Sequence, residues 1–596
     1  MADEFTDRRG DPWEFDPGPP KNRSWARLFA ATPNYRAIGI AMSGDEEFRW
    51  HFGPMFYRGR LADGAVRVLV IGQEGAQDES LSHRSFTGGT GARMQHVLNH
   101  LGVTRSYLFL NTFVYPIFGQ YDGLLPRLAQ DPRSPIARHR GQVLDYVRAR
   151  NDLRLVVAVG AAAKESVATW IEAHGGSADP DRLHEADATV LGARVRALGV
   201  LHPGGASKGG AASRIRADFV RAIAQVEQWE SDVPGWLPVD PGATRQPAAT
   251  YTYASAPIPF RDFPYGTNWR LGRGSTSSNR DSDQKGIRLF AKGGTYGDTS
   301  PSYANPPSSA TPDSTYAPAA GDLAYEPPKS AHNDFDPGPS RAMARLLQGG
   351  SPGLPWPDFA ALGLSANPSL GRGPGYRGRL TRPSVLVLAD QQSHDDLFTG
   401  RALTGNVGQH VQAFLRAAGV ITRYAIVRTL PVDSLGDAAA AVTRAVDDPA
   451  TRAILREVVR RADPAVVLTL GPHAERVASD EVPAGTPVVS LAPFRPSDPA
   501  AAWQPALAAL AALTFPREVP PGPYAGGREP VPRGDLPFGT LRWQATTGDR
   551  AQRARLAGRD TRNYYRIRMP AWAANSPATA LSPSEAAAVA ALEAGP

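Results

Sequence analysis

The sequence predicts an α/β protein built from two tandem three-layer αβα domains with parallel central sheets, the second a degenerate copy of the first. Two observations predict it. Short β-branched runs, such as Val68–Ile71 and Leu155–Val159, alternate with stretches of helical periodicity, such as Met94–Leu101 and Ile215–Val226. The same short words also return, in the same order, in the second half of the chain, at an offset of 317 over the ungapped stretch from Val68.

The repeated words run as follows. FDPGP stands at Phe15–Pro19 and Phe335–Pro339, and YRGRL at Tyr57–Leu61 and Tyr376–Leu380. The strand VLVIG, Val68–Gly72, corresponds to VLVLA, Val385–Ala389. RSFTGGTG, Arg84–Gly91, meets RALTGNVG, Arg401–Gly408, and VVAVG at Val156–Gly160 meets VLTLG at Val467–Gly471. DFPYGT at Asp262–Thr267 is echoed by DLPFGT at Asp535–Thr540. One such match is chance in a biased composition; an ordered series is a tandem duplication. The expected organisation is a first repeat over 1–300 with its core at about 55–228, a Ser/Pro/Thr-rich linker over 301–328, a second repeat over 329–573, and a loose Ala-rich tail with some helix over 574–596.

Composition narrows the chemistry. The 596 residues carry 65 Lys+Arg against 58 Asp+Glu, a net charge of +7 that permits a nucleic-acid partner. Zero Cys excludes disulfides, thiolate metal sites, Cys nucleophiles and Cys-held iron–sulfur clusters. No apolar run approaches the roughly 18 residues of a membrane span. The N-terminus has no apolar core like that of a signal peptide, so a cytoplasmic protein is expected.

Ligands of doubly wound sheets sit at the carboxyl ends of the strands. Four clusters fall there in the first half: GQEGAQDE at Gly72–Glu79, SFTGGTG at Ser85–Gly91, FLNT at Phe109–Thr112 and LHPGGASKGG at Leu201–Gly210. A single Gly, Asn or His at a strand end is ordinarily a turn or a satisfied structural group. TGGTG lacks the GxxxxGK[ST] of a nucleotide P-loop.

Together, in this order, the four clusters resemble the motifs of the uracil-DNA glycosylase superfamily. Gly72-Gln73-Glu74-Gly75-Ala76 is similar to that family's GQDPY, SFTGGTG to its PFVGxAG, Asn111 to its base-reading Asn, and His202-Pro203 to the start of its HPSPLS loop. The resemblance implies a metal-independent, monofunctional DNA N-glycosylase with no cofactor. A base is flipped from the stack into a pocket and cut from its sugar. Phe86 would stack on the base, and Asn111 would read its edge, beside Gln73 and Ala76. His202 would hydrogen-bond the departing base. Glu74, at the position of the family's catalytic Asp, would stabilise the sugar cation and orient water, with Asp78 and Glu79 in reserve. The backbone of Thr87, Gly88 and Gly89, with Ser207 and Lys208, would hold flanking phosphates.

The departures matter. The iron–sulfur branch of the family needs four Cys, and this chain has none, so no cluster is expected. The family's Pro is Gly75. Its Tyr, which excludes bases substituted at C5, is Ala76. That opening points to a bulky 5-modified cytosine, such as the glucosylated hydroxymethylcytosine of phage DNA, and to antiviral defence that leaves abasic sites. Uracil remains the alternative if another loop refills the gap. A non-catalytic DNA-binding scaffold and a hydrolase of free nucleosides are the other classes. In the second half Glu74 becomes Gln391, Phe86 becomes Leu403, Asn111 becomes Arg428 and His202 becomes Ala492, so the chemistry is expected to be lost there. Arg428 at an old pocket mouth suits a phosphate contact, a solvated side chain or an ion pair. Arg-interleaved aromatics (Tyr265, Trp269, Trp543, Tyr564, Tyr565) suit strand contact or a covered sheet edge.

Overall fold

The computed structural model describes residues 7–8, 14–16, 18–19, 21, 24–50, 53–76, 79, 82–204, 211–256, 258–259, 262, 336, 339–347, 351–367, 375–394, 396–397, 400–529, 531–535 and 579–594. The linker 301–328 and the aromatic segments around Trp269, Trp543 and Tyr564 lie outside them.

The first half is a five-stranded sheet of β1 (Arg58–Gly59), β2 (Val68–Gly72), β3 (Tyr107–Asn111), β4 (Leu155–Val159) and β5 (Arg196–Val200). Its spatial order is β1-β3-β2-β4-β5. Only β1 is antiparallel to its neighbour. β2, β3 and β4 are buried at every position, as apolar strands covered on both faces must be.

Helices α1 (Tyr35–Ser43), α2 (Gly89–His100), α3 (Pro135–Arg150), α4 (Ala161–Ala173) and α5 (Ala211–Asp232) accompany it. α2 and α5 pack on one face, through Met94, Leu98, Phe219 and Ile223. α3 and α4 pack on the other, through Val143, Val147, Val167 and Ile171. The helix following β2 and the helix following β4 thus lie on opposite faces. The crevice between the carboxyl ends of those two adjacent strands is the topological switch point, where open α/β sheets bind ligands.

The second half repeats the arrangement. Strands β6 (Tyr376–Gly378), β7 (Val385–Ala389), β8 (Tyr424–Arg428), β9 (Val466–Leu470) and β10 (Val488–Leu491) form a sheet of order β6-β8-β7-β9-β10, again with one antiparallel edge. α6 (Asn406–Ala417) and α9 (Pro499–Ala512) cover one face. α7 (Pro449–Ala462) and α8 (Pro472–Glu481) cover the other.

The repeated words are explained by buried polar networks. In the first half Arg58 pairs with Asp262 at 2.8 Å and also donates to Gln95, while Tyr107 donates to Asp262. In the second half Arg377 pairs with Asp535 at 2.8 Å and donates to Gln412, while Tyr424 donates to Asp535. Arg84 and Tyr57 converge on Asp16, as Arg401 and Tyr376 converge on Asp336. Phe86 and Leu403 both adopt left-handed φ, 55° and 49°. A side chain at Gly91 or at Gly408 would overlap the carbonyl of Phe86 or Leu403 respectively, so each turn requires Gly.

Both chain ends cross between the halves. Lys21, with no side-chain exposure, pairs with Asp437 at 2.6 Å and donates to the carbonyls of Ser365 and Asp433. The tail carries helix, as the sequence suggests, but it is not loose: α10 (Pro583–Glu593) docks on α1 of the first half. Val589 and Leu592 enter a cluster with Tyr35, Ile38, Phe48, Phe113 and Ile117. Glu585 accepts from the Asn34 N–H at 2.7 Å, and Arg127 donates to the Leu592 carbonyl.

Candidate active site

The carboxyl end of β2 brings three sequence-predicted residues together. Gly72 pairs in register with Asn111, the last residue of β3. A methyl group added at Gly72 would lie 2.7 Å from Phe86 Cε2 and 2.8 Å from the Asn111 side-chain amide. The absent side chain is therefore what lets the ring and the amide approach the strand end. Phe86 leans on Phe109 with centroids 5.0 Å apart. Asn111 is 5% exposed. Its amide is satisfied with its oxygen accepting from the Gly75 N–H and its nitrogen donating to the Leu110 carbonyl, each at 3.2 Å. Ser85 Oγ lies 3.3 Å from that amide.

Glu74 is half-buried and turned toward the segment that follows β3, where it accepts from the Ile117 N–H. Burial pushes its carboxyl up to about 7, against the pull of Arg49 and of the Ile117 bond and with a further push from Glu79. Such a carboxyl is poised for acid–base work at neutral pH. Arg49 is 1% exposed, and its own N–H is bound to the Pro116 carbonyl on the same wall. Sequence reading missed Arg49, which stands in FRWHF, away from every motif.

His202 follows β5 on the far side of β4. Its Cβ lies 3.3 Å from where a Gly160 side chain would begin, so it leans over the end of β4. At about 4.8 Å per strand, the ends of β2 and β5 stand about 10 Å apart. The imidazole Nδ1 accepts from the Gly204 N–H at 3.1 Å, which leaves the proton of the neutral ring on Nε2. The ring is exposed to solvent on one side; desolvation by the surrounding protein, and then Arg93, lower its pKa. Arg93 and Tyr253, neither singled out from sequence, both donate to the Pro203 carbonyl, at 3.1 and 3.2 Å.

Several expectations are corrected. Glu79 is not a spare catalytic acid: its buried carboxylate accepts from the N–H groups of Ala76, Thr87 and Gly88 at 2.8–2.9 Å. It staples the Glu74 loop to the Phe86 loop. Those bonds also remove the Thr87 and Gly88 amides as phosphate donors, and both residues are buried; Gly89 stays exposed at the start of α2. Gln73 and Ala76 are half-buried beside Glu74, and the Gln73 carbonyl accepts from Phe113. Asp78, Ser207 and Lys208 lie outside the described residues. No group of metal-ligating side chains occurs among the described residues.

With this geometry in view, the family comparison falls on the same residues. A protein-family model described as the uracil DNA glycosylase superfamily matches residues 59–224. No curated protein matches the chain. The matched span contains Glu74, Phe86, Asn111 and His202 and runs from the end of β1 into α5. One departure from the superfamily motif acquires a reason. Pro has no N–H, whereas Gly75 donates one to the Asn111 amide.

The equivalent crevice in the second half is filled. Arg428, at the Asn111 position, is fully buried and reaches Asp396, at the Glu79 position, with 3.7 Å between Nε and Oδ2. It also donates to the Val432 carbonyl at 2.7 Å. The ion pair therefore holds and the phosphate contact does not. Asp390 lies against Gly471 and accepts from the His473 N–H, capping α8. Gln391 accepts from the Ser434 N–H at 2.7 Å, the counterpart of the bond from Ile117 to Glu74.

Proposed function

We propose that this protein is a DNA glycosylase that extrudes a pyrimidine base and hydrolyses its bond to deoxyribose, leaving an abasic site. The observation that carries the reading is the floor at Gly72, where an aromatic ring and the Asn111 amide meet at the carboxyl end of β2, with Glu74 to one side and His202 to the other. Phe86 takes up the stacking lost on extrusion, and Asn111 pairs with the pyrimidine edge. Neutral His202 donates from Nε2 to the oxygen of the departing base as negative charge grows there. Ionised Glu74 stabilises the sugar cation and takes a proton from the attacking water. Gln73 and Ala76 border the base, and exposed Gly89, with Ser207 and Lys208, stays a candidate for the flanking phosphates.

The substrate we propose is a cytosine with a bulky 5-substituent, met by the cell in invading phage DNA. The support is Ala76, a methyl group where the superfamily motif carries a large ring. Residues 329–573 are read as a degenerate copy from a tandem duplication, its pocket filled by Arg428 and its carboxylate replaced by Gln391.

Incubation with oligonucleotides bearing uracil, hydroxymethylcytosine or glucosylated hydroxymethylcytosine, followed by alkali, tests the proposal. Strand breaks at one base, abolished by Glu74→Gln and by His202→Ala, are expected. Breaks at uracil alone overturn the substrate assignment. DNA binding with no breaks, or hydrolysis of free nucleosides only, overturns the reaction.

A further inference from the structure

We infer that a hollow beside the His202 loop is a subsite for the nucleotide adjoining the extruded one. It holds about 600 Å³ and is lined by Ala212, Ser213, Arg216, Ala217, Val220 and Tyr253. The inference rests on the glycosylase reading and adds a second contact point along the strand.

Three observations converge. First, Tyr253 is fixed next to the chemistry, because its hydroxyl donates to the carbonyl of Pro203, the residue after His202. Second, the Tyr253 ring borders an opening floored by small side chains. Arg93 sits 4.8 Å from the ring centroid and Phe219 packs at 5.9 Å, while Ala212 and Ala217 on α5 leave room for a second flat ring. Third, the cation in the hollow is uncommitted. Arg216 and its neighbour Arg214 are exposed and form no ion pair among the described residues, whereas Arg221 on the same helix is tied to Asp218 at 2.9 Å. The stretch Ala211–Ala217 contains no acid. An aromatic platform with a free guanidinium suits a base and its phosphate. The base stacks on Tyr253 and the phosphate pairs with Arg216.

The test uses the full chain and a single-stranded oligonucleotide carrying a tetrahydrofuran abasic analogue with 2-aminopurine on one flank or the other. Wild type is expected to change the 2-aminopurine fluorescence on one flank only. Tyr253→Leu should abolish that change and weaken binding by about tenfold. Tyr253→Phe, which keeps the ring and drops the Pro203 bond, should retain it. Arg216→Gln should lower the slope of log K against log salt by about 0.7. An unchanged signal in Tyr253→Leu, an equal loss in Tyr253→Phe, or an unchanged salt slope overturns the subsite and leaves the glycosylase reading standing. Failure of wild type to bind any of these oligonucleotides overturns both.

Discussion

Glu74→Gln separates chemistry from architecture more cleanly than any other substitution. The amide keeps the shape and the acceptor for the Ile117 N–H. The second half already contains the outcome, since Gln391 accepts from the Ser434 N–H at 2.7 Å. The carboxyl of Glu74 is raised from 4.5 to about 7, chiefly by burial. A carboxyl raised on folding is more easily ionised in the unfolded chain, so wild type loses stability as pH rises from about 4.5 through about 7. Over that window the cost reaches about 3 kcal/mol at most. The variant escapes it. Urea unfolding at pH 5 and pH 8 should therefore show Glu74→Gln gaining on wild type by up to about 3 kcal/mol at the higher pH. Base excision by the folded variant should fall about 100- to 10,000-fold. Wild-type excision should rise with pH through about 7 and then level off, because Glu74 must be ionised and His202 neutral. A variant that excises at the wild-type rate, or that is less stable at pH 8, would refute the assignment.

Phe86→Leu copies Leu403, which tolerates the same left-handed backbone; it should fold normally and bind substrate DNA about tenfold more weakly, as a titration would show. Arg428→Ala strands the buried Asp396 carboxylate and should cost about 3–5 kcal/mol in urea unfolding, while excision per folded molecule stays unchanged. Deletion of 579–596 uncovers Phe48, Phe113 and Ile117 and removes Val589 and Leu592 from the core. It should cost about 3 kcal/mol or more and slow excision, since the Ile117 wall holds Glu74; equal rates in both proteins would detach α10 from the site.

The fold was largely legible in the sequence because the residues that build it are the ones that recur. Asp16 and Asp336, Arg58 and Arg377, Arg84 and Arg401, and Asp262 and Asp535 occupy equivalent buried ion pairs, so a word match reported a structural necessity. Buried strands of Val, Ile and Leu marked the parallel sheets directly. Glu74, Phe86, Asn111 and His202 were legible as motif positions at strand ends. Other features depend on distance in space. Arg49 reaches the Glu74 wall from a segment with no motif. Glu79 looks like any acid until three amides converge on it. Arg93 and Tyr253 meet at a carbonyl 110 and 50 residues away in the chain. The docking of α10 joins residues more than 450 apart, and its Ala-rich sequence gives no sign of the partner.

In the proposed reaction the first half severs a pyrimidine from deoxyribose. Mass spectrometry of a defined oligonucleotide after incubation with the full chain measures this most directly. A glycosylase yields a free modified base in solution and a strand lighter by that base with a water-derived hydroxyl in its place, both expected to be missing when His202→Ala replaces wild type. An intact strand recovered from a stable complex, with no base released from any of the three substrates, would contradict it.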